Sequence, residues 1–595
     1  MLEITKAELD DAVAGQTIIS RFLETVRDHP DQVGLRAKQA DDSYAEWTYA
    51  AYAEQVAAAA AHLRSLGVGP GDRVVLMMRN IPEFHFIDLG VAALGATSIS
   101  IYNSSSPDQI AYLVGHCRAE VAIVEDDSFE ERFTKVRDQL PALQTIVNLS
   151  ADGVPAQMFD GDAVDLEAEV ANSAPDTLAT VIYTSGTTGP PKGVMLTHYN
   201  VVWTAEGYLR MLHVQPVGFR AISYLPMAHI AERMSTHYLA VMGGYEVTTC
   251  PDPGQMAAYA RDVHPQIMFG VPRVWEKLYA GVQAALGADP DKKAKFDEAV
   301  AAAIPIAERR TMGEATAEDE GTYKFLDDAA FSGVRALVGL DQLEYAISGA
   351  APIPAELISW YRAIGVPLSE IYGMSESTGP MTWEPTRVKA GTVGVAFPGT
   401  ECFLADDGEV CIRGGNVFTG YLDDPEKTAE ALDADGTLHS GDIGEFDEEG
   451  YLRIIDRKKE LIITAGGKNI SPANLEAELK MIPLVGQACA IGDGRPFVSA
   501  LLVLDGDVAP VWAKDHGIES TDLAELAVHP DVVAEIDRGV EEAMSGFNNA
   551  ERVKKVKILA EEWLPDSEEL TPTSKLKRRG VHAKYAEEIE ALYAR

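Results

Sequence analysis

Short apolar runs alternate with amphipathic stretches through the first 450 residues of the chain. The runs at 73–78, 96–102, 121–125 and 146–149 are rich in Val and Ile, which favours buried strands. Between such runs, as at 49–66, apolar side chains recur at the three- and four-residue spacing of a helix. This alternation predicts an α/β fold with mainly parallel sheets.

Two changes in the pattern predict further subdomains. From Arg273 to Leu340 the chain is rich in Ala and charged residues and lacks strand signals, so we expect a helical insertion at about 275–335. Near residue 400, GEVCIRG and a series of glycines indicate antiparallel β structure. The sequence therefore predicts a large multi-layer domain over 1–455, with parallel-sheet subdomains and a β subdomain. A small, mobile α+β domain is expected over 456–595.

The net charge of the chain indicates which binding partners to expect. The 595 residues include 50 Lys and Arg against 92 Asp and Glu, a net charge of −42. A surface this negative repels nucleic-acid phosphates and anionic headgroups, so we expect no nucleic-acid partner and at most weak peripheral contact with a membrane. A hydrophobic share of 46% over this length supports a large core and excludes disorder as the main state. On a protein this acidic, an anionic ligand is expected to bind where Lys and Arg side chains are clustered.

The spacing of the cysteines and the amino-terminal sequence indicate the cellular compartment in which the protein is expected. The five cysteines show no CxxC spacing, which predicts neither a zinc site nor a disulfide framework. The first residues, MLEITKAELDDAV, are acidic, unlike a signal peptide. The longest candidate span, Leu89 to Ile101, falls short of the ~20 residues that cross a bilayer. We expect a cytoplasmic protein without a transmembrane segment.

The most informative stretch is a Gly- and Thr-rich loop between two apolar runs, 181–183 and 194–196. Its glycines let backbone N–H groups point inward, its hydroxyls add donors, and Lys192 adds charge, which together favour an anion-binding nest. Pro191 precedes the lysine and a strand follows it, so the loop is not a Walker A motif. It predicts binding of nucleotide phosphates; a surface turn is the alternative interpretation.

YTSGTTGPPKG (183–193) resembles the signature loop of the adenylate-forming (AMP-binding) enzymes, the superfamily of acyl-CoA synthetases, luciferases and peptide-synthetase adenylation domains. Further motifs of that superfamily follow in order: SYLPMAHIAER, FGVPRVWEK, SGAAPI, EIYGMSES, LHSGDIG, DRKKELIITAGGKNISP and LTPTSKLKRR. VPRVWEK, the helical insertion, ITAGGKNISP and LTPTSK resemble the long-chain fatty acyl-CoA synthetase branch. EIYGMSES and LHSGDIG resemble its bubblegum-type members.

The resemblance implies a two-step reaction. A fatty acid and ATP give acyl-AMP and pyrophosphate, and the thiol of coenzyme A then displaces AMP. Tyr372 would stack on adenine, Asp442 and Arg457 would hold the ribose, and Ser375 would reach the α-phosphate; where this chain has Glu370 the family often has Gln or Asn. The implied ATP- or AMP-binding residues are Thr184, Ser185, Gly186, Thr187, Thr188, Gly189, Lys192, Gly349, Ala350, Ala351, Glu370, Tyr372, Gly373, Ser375, Asp442 and Arg457.

The same resemblance implies the catalytic groups. Glu376, helped by Thr184, would hold Mg²⁺, and Lys575 would stabilise the charge shared by the carboxylate and the α-phosphate. His229 would close the acyl pocket and change position between the steps. The alternatives are a plain buried histidine at 229 and a solvated helix start at 575, where the family often has Gly in place of the preceding Ser574.

In the small domain, Gly466, Gly467 and Lys468 would receive coenzyme A, and the hinge would lie at 457–459 with Lys459 at its pivot. Rotation there would withdraw Lys575 and bring in the glycine face, so that one site is rebuilt for each step. Gly270 and Val271 are further candidates for the acyl-pocket wall, with Gly349 and Ala350.

Other functions stay open at this stage. An acyl-AMP ligase that loads a carrier protein is disfavoured by the GGK of the small domain, and a silent scaffold would be expected to lose Glu376, Asp442 or Lys575. The long insertion argues against a luciferase-like oxygenase. A ligase for a bulky, for example sterol-derived, acid is a further alternative, because chain length depends on a few wall atoms. A homodimer is neither predicted nor excluded.

Overall fold

The computed structural model describes residues 4–184, 190–463, 469–549, 551–564, 567–571 and 575–594, with the backbone alone at 463 and 469. The strands are β1 (Val33–Lys38), β2 (Tyr44–Thr48), β3 (Arg73–Met77), β4 (Thr97–Ser100), β5 (Val121–Val124), β6 (Thr145–Asn148), β7 (Leu178–Thr184), β8 (Lys192–Thr197), β9 (Arg220–Ser223), β10 (Glu246–Thr249), β11 (Ile267–Gly270), β12 (Tyr345–Ser348), β13 (Leu368–Met374), β14 (Gly379–Trp383), β15 (Glu401–Leu404), β16 (Glu409–Arg413), β17 (Gly420–Tyr421), β18 (Leu438–Phe446), β19 (Leu452–Arg457), β20 (Ile462–Ile463), β21 (Asn469–Ile470), β22 (Val485–Ile491), β23 (Val498–Leu504) and β24 (Val553–Leu559).

The helices are α1 (Lys6–Ala12), α2 (Ile18–Asp28), α3 (Tyr49–Ser65), α4 (Pro82–Ala93), α5 (Pro107–Cys117), α6 (Asp127–Lys135), α7 (Val154–Phe159), α8 (Leu166–Glu169), α9 (His198–Met211), α10 (Ile230–Glu232), α11 (Leu239–Gly243), α12 (Met256–Val263), α13 (Pro272–Gly287), α14 (Pro290–Met312), α15 (Ala317–Leu326), α16 (Ser332–Val338), α17 (Ala355–Ala363), α18 (Pro425–Ala431), α19 (Pro472–Leu479), α20 (Ala509–Asp515), α21 (Leu523–Leu526), α22 (Pro530–Ala543), α23 (Arg578–Lys584) and α24 (Ala586–Tyr593).

The amphipathic segment at 49–66 is the helix α3, and its start has a local cause. Thr48 lies outside the helix in an extended conformation, and its side-chain oxygen accepts a hydrogen bond from the Ala51 N–H. This side chain satisfies one of the N–H groups that a helix start leaves without a partner.

The large sheet has the strand order β17-β8-β7-β4-β3-β5-β6. The pairings from β7 through β4, β3 and β5 to β6 are parallel, while β8 and β17 add antiparallel neighbours at one edge. Every residue of β4 and β5 is buried, as expected for strands covered on both faces. The sequence of β5, VAIV, is continuously apolar, whereas β4, TSIS, buries three hydroxyl side chains around Ile99.

Two further sheets, β2-β1-β10-β9 and β11-β12-β13-β14, contain parallel pairs at their centres. The four helices α13 to α16 are inserted between β11 and β12. The sheet β15-β16-β18-β19 is antiparallel, as GEVCIRG indicated. The α/β architecture, with a large amino-terminal and a small carboxy-terminal domain, is confirmed.

The small domain packs helices on the sheet β22-β23-β24 and rests against α13. Arg273 forms an ion pair with Asp505, and Lys277 Nζ lies 2.9 Å from Asp507 Oδ2. These contacts join the small domain to the helix α13 of the large domain. Among the described helices, none is long and apolar enough to cross a bilayer.

Candidate active site

A cleft of about 1850 Å³ opens between the large and the small domain. The carboxyl ends of β7, β12 and β13 meet there, which is where open α/β sheets usually bind ligands. The predicted residues that line it are Thr184, Lys192, His229, Ala350, Ala351, Glu370, Tyr372, Gly373, Ser375, Glu376, Asp442, Arg457, Lys459 and Lys575. Positions more than 390 residues apart in sequence therefore share one space.

The remaining predicted site residues fall into two groups. Ser185, Gly186, Thr187, Thr188 and Gly189 of the phosphate loop, and Gly466, Gly467 and Lys468 of the expected coenzyme A site, fall outside the described residues. Gly349 packs beneath the cleft surface: a Cβ there would lie 2.7 Å from Ile371 Cγ2, so a larger side chain would displace β13. Its neighbour Ala350 has a φ of 72°, in the left-handed region, which turns the chain toward the cleft.

The end of the cleft that is predicted to hold the ribose is built on three strands, β13, β18 and β19. The Tyr372 hydroxyl, on β13, donates a hydrogen bond of 2.6 Å to Asp442 Oδ2 on β18, and Arg457 Nε lies 3.3 Å from Asp442 Oδ1. Asp442 is only 7% exposed, and this burial raises the pKa of its carboxyl although Arg457 and Tyr372 act to lower it. The carboxylate of Asp442 is therefore a buried and oriented hydrogen-bond acceptor at the position where the ribose diol is expected.

Glu370 lies on the same strand, β13, and is almost fully buried. Burial raises the pKa of its carboxyl to about 8, even though the Ile353 N–H donates to it. The group is therefore protonated at neutral pH and offers one O–H donor and one carbonyl acceptor. A neutral carboxyl of this kind presents the same pair of groups as the Gln side chain that the family often has here.

The end of the cleft that is predicted to hold the phosphates combines β7, β8 and the short 3₁₀ turn Ser375–Ser377. Thr184 ends β7 and pairs directly with Lys192, the first residue of β8. Lys192 Nζ lies 4.1 Å from the centroid of the Tyr421 ring, and the Tyr421 hydroxyl donates a 2.7 Å hydrogen bond to Glu376 Oε1. Tyr421 thus connects the lysine of the loop to the predicted Mg²⁺ carboxylate.

Tyr421 is a residue that sequence reasoning missed. Burial, together with the carboxylate of Glu376, raises the pKa of its phenol, so the hydroxyl remains a donor. Tyr112, whose hydroxyl donates to the Pro191 carbonyl at 2.9 Å, supports the end of the phosphate loop in a similar way and was also missed. No motif marks either position; only an aromatic residue close to a glycine, in GYLDD at 420–424, sets Tyr421 apart.

Lys575 reaches this cleft from the small domain. Its backbone is held by Thr571, which accepts from the Lys575 N–H at 2.9 Å and donates its own N–H to the Lys575 carbonyl. The residue retains solvent exposure, but desolvation by the cleft walls and the charge of Arg457 lower the pKa of its ammonium group to about 8. The helix α23 begins at Arg578, so Lys575 and Lys577 both precede it.

His229 borders the cleft at the start of α10, and its Nδ1 accepts a hydrogen bond of 3.1 Å from the Ala231 N–H. Desolvation and the nearby charge of Lys575 lower its pKa to about 3, so the ring is neutral with the proton on Nε2. Among the described residues, no cluster of three or more His, Cys, Asp or Glu has the arrangement of a metal site.

Part of the cleft lining is apolar, and we call this part the apolar branch. Its walls come from α9, α11 and the strands β9, β11 and β14, with Tyr208, Leu212, Ile222, Leu239, Ile267 and Trp383. Phe269 lines this space directly, whereas Gly270 packs against Trp275 and Tyr224. The polar end and the apolar branch together suit an amphipathic substrate with one charged end.

This fold and cleft define the class of protein. The profile of the AMP-binding enzyme family matches residues 22–422, and that of the AMP-binding enzyme C-terminal domain matches residues 459–595. The chain belongs to the AMP-binding enzyme family, as its motifs predicted.

Similarity to named proteins indicates the subfamily of AMP-binding enzymes to which the chain is related. The chain is 35% identical to the long-chain-fatty-acid–CoA ligase FadD15 of Mycobacterium bovis, over 97% of both proteins. It is 33% identical to the long-chain-fatty-acid–CoA ligase ACSBG2 of Xenopus laevis, over 97% of this chain and 84% of that protein. The predicted likeness to long-chain and bubblegum-type members is confirmed.

Solved structures agree on the fold. A Mycobacterium tuberculosis fatty acyl CoA synthetase superposes with a TM-score of 0.62 at 23% identity, covering 96% of this chain and 99% of that one. The anthranilate CoA ligase AuaEII, solved with anthranoyl-AMP, superposes with a TM-score of 0.73 at 19% identity, covering 98% and 100%.

Proposed function

We propose that this protein is an ATP-dependent long-chain fatty acid–CoA ligase. The observation that carries the proposal is the cleft in which Lys575, Asp442 and Glu376 lie together beside an apolar branch. The names of FadD15 and ACSBG2, both long-chain-fatty-acid–CoA ligases, support the same activity.

In the first step a carboxylate oxygen of the fatty acid attacks the α-phosphorus of ATP. A P–O bond forms to the acyl group, and the bond to the leaving pyrophosphate breaks. Two anions must approach each other, so the cations Lys192 and Lys575 and the neutral ring of His229 suit this end of the cleft. Lys575, protonated below about pH 8, stabilises the charge shared by the two groups.

In the second step the thiol of coenzyme A attacks the acyl carbonyl, loses its proton, and AMP leaves with the electrons of the broken C–O bond. Gly466, Gly467 and Lys468 are proposed to receive coenzyme A after the small domain turns about Lys459. The exposed position of Lys459 at the edge of the cleft suits a pivot.

Mg²⁺ belongs to the proposal as well. Glu376 and Thr184 offer the hard oxygen donors that this ion prefers, and Glu376 is oriented by Tyr421. The ion, when bound, neutralises phosphate charge. A cytoplasmic location is also proposed, supported by the five cysteines, which are all unpaired.

The test is a mass-spectrometric product assay. Purified protein is incubated with ATP, Mg²⁺, coenzyme A and single acids from C8 to C24, together with a sterol-derived acid. Each methylene buried in an apolar pocket contributes ~0.8 kcal/mol, so kcat/KM should rise roughly fourfold per methylene until the branch is full. Acyl-AMP without thioester would indicate a carrier-loading ligase instead, and the absence of both products would refute the proposal.

A further inference from the structure

The segment 229–239 has two distinct faces. One face borders the cleft and its apolar branch, through His229, Met234, Thr236 and Leu239. The other face points into the core and carries Arg233, His237 and Tyr238, all of which are fully buried. Residues Arg233–Tyr238 form a π-helical stretch, a geometry that is rare in proteins and frequent near functional sites.

Arg233 is the centre of the buried face. Its guanidinium pairs with Asp88 of α4, donates from Nη1 to Ser100 Oγ at the end of β4 at 2.7 Å, and donates to the Tyr238 hydroxyl. The Tyr238 hydroxyl lies 3.0 Å from Arg233 Nε and 2.7 Å from Nη2. One side chain therefore ties the π-helical stretch to a helix and a strand of the large sheet.

Two histidines complete the cluster. His237 Nε2 lies 2.8 Å from Asp88 Oδ2, and His237 Nδ1 lies 2.9 Å from His85 Nδ1. A carboxylate only accepts, so His237 donates from Nε2 and accepts from His85 at Nδ1. Burial lowers the pKa of both rings, which are neutral, while Arg233 and His237 hold the pKa of Asp88 low despite its burial. The cluster thus contains one balanced ion pair.

A second anchor holds the segment just before the π-helical stretch. Glu232 is buried, and its carboxyl contacts the Asn80 side-chain amide at 3.3 Å and the Thr236 hydroxyl at 2.6 Å. Asn80 also donates to Ser223 Oγ of β9 at 2.8 Å. The cleft wall is therefore attached to its surroundings through Glu232 and Arg233, which lie between His229 and Met234.

We infer that Arg233, held by Asp88, is a positioning residue that fixes the wall formed by 229–239 and thereby sets which acyl chains the cleft accepts. This rests on the proposed ligase function. Arg233 does not border the cleft, so it acts through His229, Met234, Thr236 and Leu239. Fixed walls of this kind determine chain selectivity, because one misplaced methylene-sized contact changes discrimination by ~10-fold or more.

Two substitutions test this inference at different strengths. Tyr238→Phe removes one acceptor from Arg233 and keeps the ring, so the protein should fold. Arg233→Lys keeps the charge but cannot reach Asp88, Ser100 and Tyr238 together. The matched control is Arg335→Lys, the same change at a partly buried arginine that bonds Asp327 away from the cleft.

The measurement is kcat/KM for a series of acids from C8 to C20, with KM for ATP and the melting temperature recorded for each variant. We expect the preferred chain length to broaden or move in Tyr238→Phe, and the ratio between preferred and shorter acids to fall about tenfold in Arg233→Lys. The KM for ATP should stay within twofold, and Arg335→Lys should keep the wild-type profile.

A lowered melting temperature with a wild-type chain-length profile in both variants would overturn the inference, since it would show a purely structural cluster. If Arg233→Lys fails to fold, the profile of Tyr238→Phe decides alone. Wild-type protein that forms no thioester from any acid would instead refute the proposed function, so the two failures are distinguishable.

Discussion

The hydrogen bond from Tyr372 to Asp442 gives a quantitative test of the nucleotide site. Tyr372→Phe keeps the ring expected to stack on adenine and removes the hydroxyl that lies 2.6 Å from Asp442 Oδ2. A hydrogen bond to a charged group contributes ~1.5 to 3 kcal/mol, about 10- to 100-fold in affinity. Arg457 still lies 3.3 Å from the other oxygen, so Asp442 is not left without a partner, and we expect a loss near tenfold.

Calorimetric titration with AMP measures this loss without turnover. Tyr451→Phe is the matched control, because its hydroxyl makes a hydrogen bond of the same 2.6 Å length, to the Arg387 carbonyl outside the cleft. The double variant Tyr372→Phe/Asp442→Asn should bind AMP no more weakly than Asp442→Asn alone, since the hydroxyl acts through that carboxylate. Binding by Tyr372→Phe within twofold of the wild type would refute this account of the ribose site.

Three further predictions follow from the titratable groups of the cleft. Lys575→Ala should lower acyl-AMP formation by ~10²-fold or more, while thioester formation from supplied acyl-AMP persists. Lys514→Ala, at an exposed lysine of the small domain outside the cleft lining, should spare both steps. Equal loss of both steps in Lys575→Ala would contradict the assignment. Because the pKa of Lys575 is about 8, its ammonium is lost as pH rises through that value, so kcat/KM for adenylation should fall above pH 8; a flat profile to pH 9.5 would argue against this role. Glu370 is protonated below about pH 8, so AMP affinity should weaken above it and become independent of pH in Glu370→Gln; the same pH dependence in both proteins would be inconsistent with a neutral donor.

Much of the fold follows from local sequence. The start of α3 is set by Thr48, and the run VAIV at 121–124 is apolar enough to mark a strand buried on both faces. The loop at 184–192 predicts phosphate binding because glycine, threonine and lysine occur together within about ten residues. Such signals are local, since each depends on backbone geometry or burial within one element.

The site was only partly predictable. Motifs predicted Glu376, Asp442 and Lys575, but Tyr421, whose hydroxyl donates to Glu376, lies 45 residues further along the chain in the short strand β17, which no motif marks. Glu370 looked like a departure from the family until its burial was known. A sequence identifies the titratable group, whereas desolvation, which decides its protonation, depends on what surrounds it.

By itself the sequence determined the α/β class, the family and the residue types available for adenylation, because these depend on periodicity and on short motifs. Only the tertiary structure decided which of those residues meet, that Glu370 is neutral, and that Arg233 is held by Asp88 behind the cleft wall. Asp88 and Arg233 lie 145 residues apart. A charge buried in the core persists only with a partner that the folded chain brings to it, and no local pattern records that pairing.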